Sequence, residues 1–272
     1  MAGQAVPPLS LPATAVAQLA AARAVLEHRL GDRLVAIYLF GSAVEGGLQP
    51  RSDLDLLVAV GEPLDEPTRH GVMTELLDVS APPGAGSALR ALEVTVVAIG
   101  AVVPWRYPAI RELQFGEWLR DDLRAGRFEP PVRDHDLAIL LTKVRGHGIP
   151  LHGPPAATVF EPVPPGDLAR ALGDTLAQWN EEADWRGDEC HIALALARIW
   201  YTAGTGRIAG KAQAAAWALE RLPPELRPLL AAARSAYLDG DGAGLGGHEA
   251  RLAALVAHVR TRVAAGEGGG GI

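Results

Sequence analysis

Asp53 and Asp55 stand one residue apart at the head of "LDLLVAV", a run that otherwise reads as buried strand. Side chains two apart on a strand point to the same face, so the two carboxylates project together. Ionised side by side they repel each other unless a cation sits between them. Hard oxygen ligands of this kind suit Mg²⁺, which is usually held by one or two carboxylates plus substrate phosphates. Upstream, an apolar run breaks at Gly41-Ser42, which offers backbone N–H groups and a hydroxyl to phosphate oxygens. Downstream, Glu93 lies in "ALEVTVV" and can sit beside the aspartates if the two strands are neighbours. Each feature alone is bland. A Gly-Ser pair is usually only a turn, two aspartates before a strand can be a cap or a solvated edge, and a glutamate among valines can be an edge residue. In this order and spacing they converge on a nucleoside triphosphate held by metal.

The elements that must position these groups are legible in outline. Residues 14–30 are alanine- and leucine-rich with scattered charges and predict an amphipathic helix. Residues 33–40, 54–60 and 90–99 predict three strands, with a helix over 67–79 between the second and third. Alternation in the third strand puts Glu93, Thr95 and Val97 on one side and Leu92, Val94 and Val96 on the other. After Ile99 the strand signals stop, and 108–125 and 134–147 have helical spacing. The stretch 148–167 is dense in proline and glycine and is the best boundary candidate. Beyond it, helices are expected over 167–180, 189–203, 211–221, 225–238 and 249–265. The tail "GEGGGGI" reads as flexible. The expectation is an α+β chain: a strand-containing domain over 1–160 and an all-helical domain over 161–272.

Bulk properties exclude several classes. The 272 residues are 49% hydrophobic, which argues against disorder and allows a real core. The formal net charge of −7 argues against a nonspecific nucleic-acid binder, which needs a basic face. Cys190 is the only cysteine, so no intrachain disulfide forms, which fits a reducing compartment. No positively charged stretch precedes the apolar residues near the N-terminus, and no uncharged apolar run approaches the roughly 20 residues of a membrane helix. The expected setting is the cytoplasm, and a monomer is expected.

The order "GS…SDLD" resembles the signature of the nucleotidyltransferase superfamily that shares the DNA polymerase β catalytic core. Longer segments carry the likeness further: "YLFGSAVEGGLQPRSDLDLLV", "LLDVSAPPG", "ALRALEVTVV", "PWRYPAIRELQFGEW", "DLAILLTK" and "RIWY". Together they resemble the bacterial aminoglycoside (3'')(9) adenylyltransferases. The resemblance runs from about residue 30 to about residue 240 and is weakest at the two ends.

The resemblance implies a polymerase-β-like domain with a mixed sheet and transfer of AMP from ATP to a hydroxyl of streptomycin or spectinomycin. It implies that Asp53 and Asp55 hold Mg²⁺, two ions in all, and that Ser42 and Ser52 touch phosphates. Glu93 matches the catalytic base; the competing reading makes it a third metal ligand. Lys211 matches a phosphate-binding lysine, although alone it reads as a solvated helix-start residue. Asp136 and Tyr237 match nucleotide-contacting positions. On the drug side, "WNEEADWRGDEC" packs two tryptophans and five acidic residues into one connecting stretch. Carboxylates pair with the guanidinium and amine groups of such drugs, and aromatic faces attract cations. The resemblance assigns drug contacts to Trp118, Asp184 and Asp188, with Trp179, Trp185 and His191 close by. On periodicity Trp118 reads instead as a core tryptophan of an amphipathic helix. Two other readings remain open at this point: a transferase of the same fold acting on a protein or an RNA end, and a non-catalytic nucleotide-binding regulator.

Overall fold

A computed structural model of the chain describes residues 11–240, 245 and 249–265. The first ten residues and the glycine-rich tail, 266–272, lie outside the described residues. The strands are β1 (Leu34–Phe40), β2 (Leu54–Val60), β3 (Leu92–Ala98), β4 (Ala109–Arg111), β5 (Leu113–Phe115), β6 (Val132–Asp134) and β7 (Ile149–His152). The first six helices are α1 (Ala13–Leu30), α2 (Glu66–Leu76), α3 (Ile99–Val102), α4 (Arg120–Arg124), α5 (Leu137–His147) and α6 (Ala156–Val159). The rest are α7 (Pro165–Leu176), α8 (Glu189–Thr205), α9 (Lys211–Arg221), α10 (Arg227–Asp239) and α11 (Glu249–Ala264). The fold is α+β.

Five strands form a mixed sheet in the order β5-β3-β2-β1-β7, in which only β2 and β3 run parallel. A parallel pair needs a crossover, and α2 supplies it. Asp65 caps that helix by accepting the Thr68 amide at 2.8 Å, with Pro67 in the first turn. The central strands are apolar on both faces because both faces are covered. Leu54, Leu56, Val58 and their neighbours pack under α1 and α2, while Leu57, Ala59 and Val97 pack with α5 and α6. Buried Gln18 on α1 donates to the carbonyls of Val79 (2.8 Å) and Arg90 (2.7 Å) and accepts the Arg90 amide. It thereby fixes the chain entering β3.

Two expectations need correction. Strands do not stop at Ile99: four more follow, and the expected helix over 108–125 is β4, β5, a 3₁₀ turn over Glu117–Leu119 and the short α4. Three-residue strands are too short to show a period, so helical spacing won by default. The proline-rich stretch 148–167 opens with β7, an edge strand beside β1 where Pro150 costs no ladder bond on its free side. The C-terminal helices gather around α8, which buries residues on nearly every face, among them Leu196, Trp200 and Tyr201. Among the described residues no helix is long and apolar enough to cross a membrane.

Candidate active site

A cleft of about 890 Å³ opens between the heads of β2 and β3 and the helices α8, α9 and α10. Asp55 is the direct cross-strand partner of Glu93 in the parallel ladder, and Asp53 precedes Leu54, the first residue of β2. All three carboxylates line the cleft. The turn after β1 runs over Gly41–Ala43, and Gly41 holds φ +73°. A Cβ there would sit 1.8 Å from Asp55 Oδ2, so the backbone approaches the carboxylate as only glycine permits. Ser42 lies in the same turn and lines the cleft. Ser52 is buried, and its hydroxyl accepts the Gln49 amide at 3.0 Å.

Burial dominates the electrostatics of the three carboxylates, with nearby charges adding to it or partly offsetting it. Burial, reinforced by the charge of Glu93, pushes Asp55 up to about 8, and Lys143 only partly offsets this. Burial and then the charge of Asp53 raise Glu93; burial raises Asp53. Among the described residues no three His, Cys, Asp or Glu side chains converge into a closed cage. A pair of hard carboxylate oxygens with room for phosphates fits Mg²⁺, which rarely takes an all-protein cage. The Glu93 Oε1 accepts the Gln114 side-chain amide at 3.3 Å.

Facing the carboxylates, Lys211 begins α9 and Tyr237 lies on α10, with the Lys211 ammonium 5.4 Å from the tyrosine ring centre. Burial, then the charge of Arg198, lowers the Lys211 pKa. Asp136 stands at the start of α5 and lines the cleft, accepting the Thr175 hydroxyl from α7 at 2.9 Å. His191 also lines the cleft; although solvent reaches it, surrounding protein, Lys211 and Arg198 push it down to about 4.

The drug-side candidates divide. Trp118 is 62% exposed at the cleft, on a 3₁₀ turn and not in a helix core. Asp188 lines the cleft, and its carboxylate makes no capping bond to α8. Asp184 and Trp179 do not line it. The Asp184 carboxylate is occupied by the amides of Asn180 (2.6 Å) and Glu181 (2.9 Å), closing a capping box, and Trp179 packs on the helical core. Trp185 is buried in that core.

Sequence reasoning missed Lys143, Glu45, Arg198 and Gln114, all of which line the cleft. Lys143 pairs with Glu45 at 3.7 Å, the two side chains being 11% and 13% exposed. Its signal was present: in "DLAILLTK" a lone lysine closes an apolar helical run.

The polymerase β nucleotidyltransferase model matches residues 24–92, and the model for the aminoglycoside adenylyltransferase C-terminal domain matches residues 158–262. An aminoglycoside (3'')(9) adenylyltransferase of Escherichia coli is 50% identical over 246 residues, 90% of this chain and 94% of that protein. A spectinomycin 9-adenylyltransferase of Staphylococcus aureus is 42% identical over 213 residues, 78% of this chain and 81% of its own length. The crystal structure of spectinomycin adenyltransferase AAD(9) from Enterococcus faecialis with ATP and spectinomycin matches with a TM-score of 0.85 at 28% identity, covering 92% of this chain and 99% of that one. With half its residues identical across nine-tenths of its length, and with both family models in sequence order, the chain belongs to the aminoglycoside (3'')(9) adenylyltransferase family.

Proposed function

We propose that this chain transfers AMP from ATP to a hydroxyl of streptomycin (3'') and of spectinomycin (9), releasing pyrophosphate and conferring resistance. The observation that carries the reading is the Asp55–Glu93 pair on parallel strands, with Asp53 beside it and Lys211 across the cleft. In the reaction the drug oxygen bonds to the α-phosphorus, the bond to the β-phosphate oxygen breaks, and the hydroxyl proton goes to Glu93. Asp53 and Asp55 would hold Mg²⁺, which when bound would neutralise phosphate charge and favour displacement. Ser42 and Ser52 contact phosphates, Lys211 holds the triphosphate, and Asp136 and Tyr237 contact the nucleotide. Trp118, Asp188 and His191 meet the drug.

We divide the chain into a nucleotidyltransferase domain over about 1–160 and a helical domain over 161–272 that completes the cleft. We take the enzyme to act as a monomer. ATP and the reducing setting suited to one free cysteine support a cytoplasmic enzyme.

Incubation with α-labelled ATP and each drug tests the reading. Labelled drug should form with Mg²⁺ and not in excess chelator. Transfer that survives full chelation removes the metal assignment, and absence of transfer to either drug with metal present removes the function.

A further inference from the structure

Gln114 occupies the only buried polar position on β5 that faces the carboxylates, and its side chain is 8% exposed by residue. It pairs directly with Thr95 in the antiparallel β3–β5 register, and Glu93 is two residues back on the same face of β3. The Gln114 carbonyl oxygen accepts from the Thr95 hydroxyl at 2.9 Å and from the Arg111 guanidinium at 3.0 Å. A guanidinium has donors only, so the oxygen of the amide must face Arg111 and the NH₂ must point the other way. That NH₂ reaches Glu93 Oε1 at 3.3 Å. Arg111 is itself held between Asp134 (3.3 Å) on β6 and Glu129 (3.6 Å). The two-stranded β4–β6 ribbon therefore sets Arg111, Arg111 and Thr95 set the amide, and the amide sets one carboxylate oxygen of Glu93.

We propose that Gln114 is a positioning residue for the transfer, aiming Glu93 by holding its Oε1 so that Oε2 is the oxygen offered to the drug hydroxyl. The proposal rests on the reading of Glu93 as the base. Holding one oxygen removes the freedom of the carboxylate to rotate, and misplacement of a reacting group by about 1 Å can cost 10²-fold in rate. Gln114, Thr95 and Arg111 all line the cleft, and the role argued for them acts through Glu93.

The test combines Gln114→Met, which keeps the length and loses the donor, with Thr95→Val, which keeps the shape and frees one side of the amide. Steady-state kinetics on the full chain with ATP, Mg²⁺ and spectinomycin should give a kcat lower by about 10- to 100-fold for Gln114→Met and by a smaller factor for Thr95→Val. KM for both substrates should stay within about twofold, because binding is untouched. The same Gln114→Met change in a Glu93→Gln background should cost nothing further, since both act through one group. A kcat within twofold of the parent for both variants overturns the proposal. So does a rise in KM matching the fall in kcat, or an equal loss in the Glu93→Gln background. Undiminished turnover by Glu93→Gln alone is a separate result: it removes the base reading itself, whatever Gln114 does.

Discussion

Glu93 carries the largest single expectation at the scale of one residue. Glu93→Gln keeps the shape and the bond to Gln114 but cannot take a proton at neutral pH. The rate should fall about 10²- to 10⁴-fold while ATP and drug binding by calorimetry stay near parent values. Loss of nucleotide binding with retained turnover at high Mg²⁺ makes it a ligand instead. His191 gives a pH expectation. Its pKa falls from the ordinary 6.5 to about 4 in the fold, so between those values the unfolded chain binds more protons. Its contribution is therefore intact above pH 6.5 and is lost as pH falls towards 4. His191→Gln should flatten the fall in Tm across that window, and an unchanged slope would mean that His191 titrates normally. The two aspartates were readable because a period of two needs no partner. Glu93 was readable only on condition that its strand neighbours theirs, and the Asp55–Glu93 register meets that condition. Gln114 was not readable, because its meaning depends on Thr95 and Arg111 arriving from other strands.

Elements decide which of the drug-side residues can act. The 3₁₀ turn over Glu117–Leu119 is pinned by Glu117, which accepts from the Ser80 hydroxyl and from Arg120 at 2.5 Å. Its tryptophan folds back over Gly116, where an added Cβ would come within 2.2 Å of the ring. That holds Trp118 out at the cleft instead of in a core. Streptomycin is long and carries two guanidinium groups, whereas spectinomycin is compact and has none. Trp118→Ala and Asp188→Asn should therefore lower streptomycin resistance and spare spectinomycin resistance. Losing a charge-assisted bond costs about 1.5–3 kcal/mol, enough for roughly a tenfold loss or more. Asp184→Asn should act differently, weakening both drugs slightly by loosening its capping box. Minimum inhibitory concentrations in a sensitive strain check this, and equal loss of both drugs in Trp118→Ala assigns that residue to the fold. Long elements are legible: the alanine- and leucine-rich stretch 211–221 gives α9 at its observed bounds. β4, β5 and β6 are not, because three residues carry no period and their pairing is tertiary.

At the scale of the whole molecule, the cleft has a charge problem that its substrates must solve in order. Lys143, Arg198 and Lys211 all line it, and Arg198 pushes the pKa of both lysines down after burial. A cationic drug entering first meets these like charges in a partly desolvated space, where repulsion is weakly screened. ATP entering first places its phosphates between the cations and the β2–β3 heads. On the proposed role of Lys211, the same groups would then act as a scaffold for the triphosphate instead of a barrier to the drug. Drug affinity should therefore depend on nucleotide, with a coupling in the usual range of about 5- to 150-fold. Because linkage is reciprocal, saturating drug should tighten a non-transferable ATP analogue by the same factor. Calorimetric titration of streptomycin into the nucleotide-free chain and into the chain loaded with that analogue measures both sides of the cycle. Lys211→Ala should shrink the coupling from both sides: it tightens drug binding to the nucleotide-free chain by removing repulsion, and it removes the bridge to the phosphates. Equal streptomycin affinity with and without the analogue would mean that the cleft is already formed for the drug, and that the cations are neutralised by Asp53, Asp55, Glu93 and Glu45 without help from phosphate.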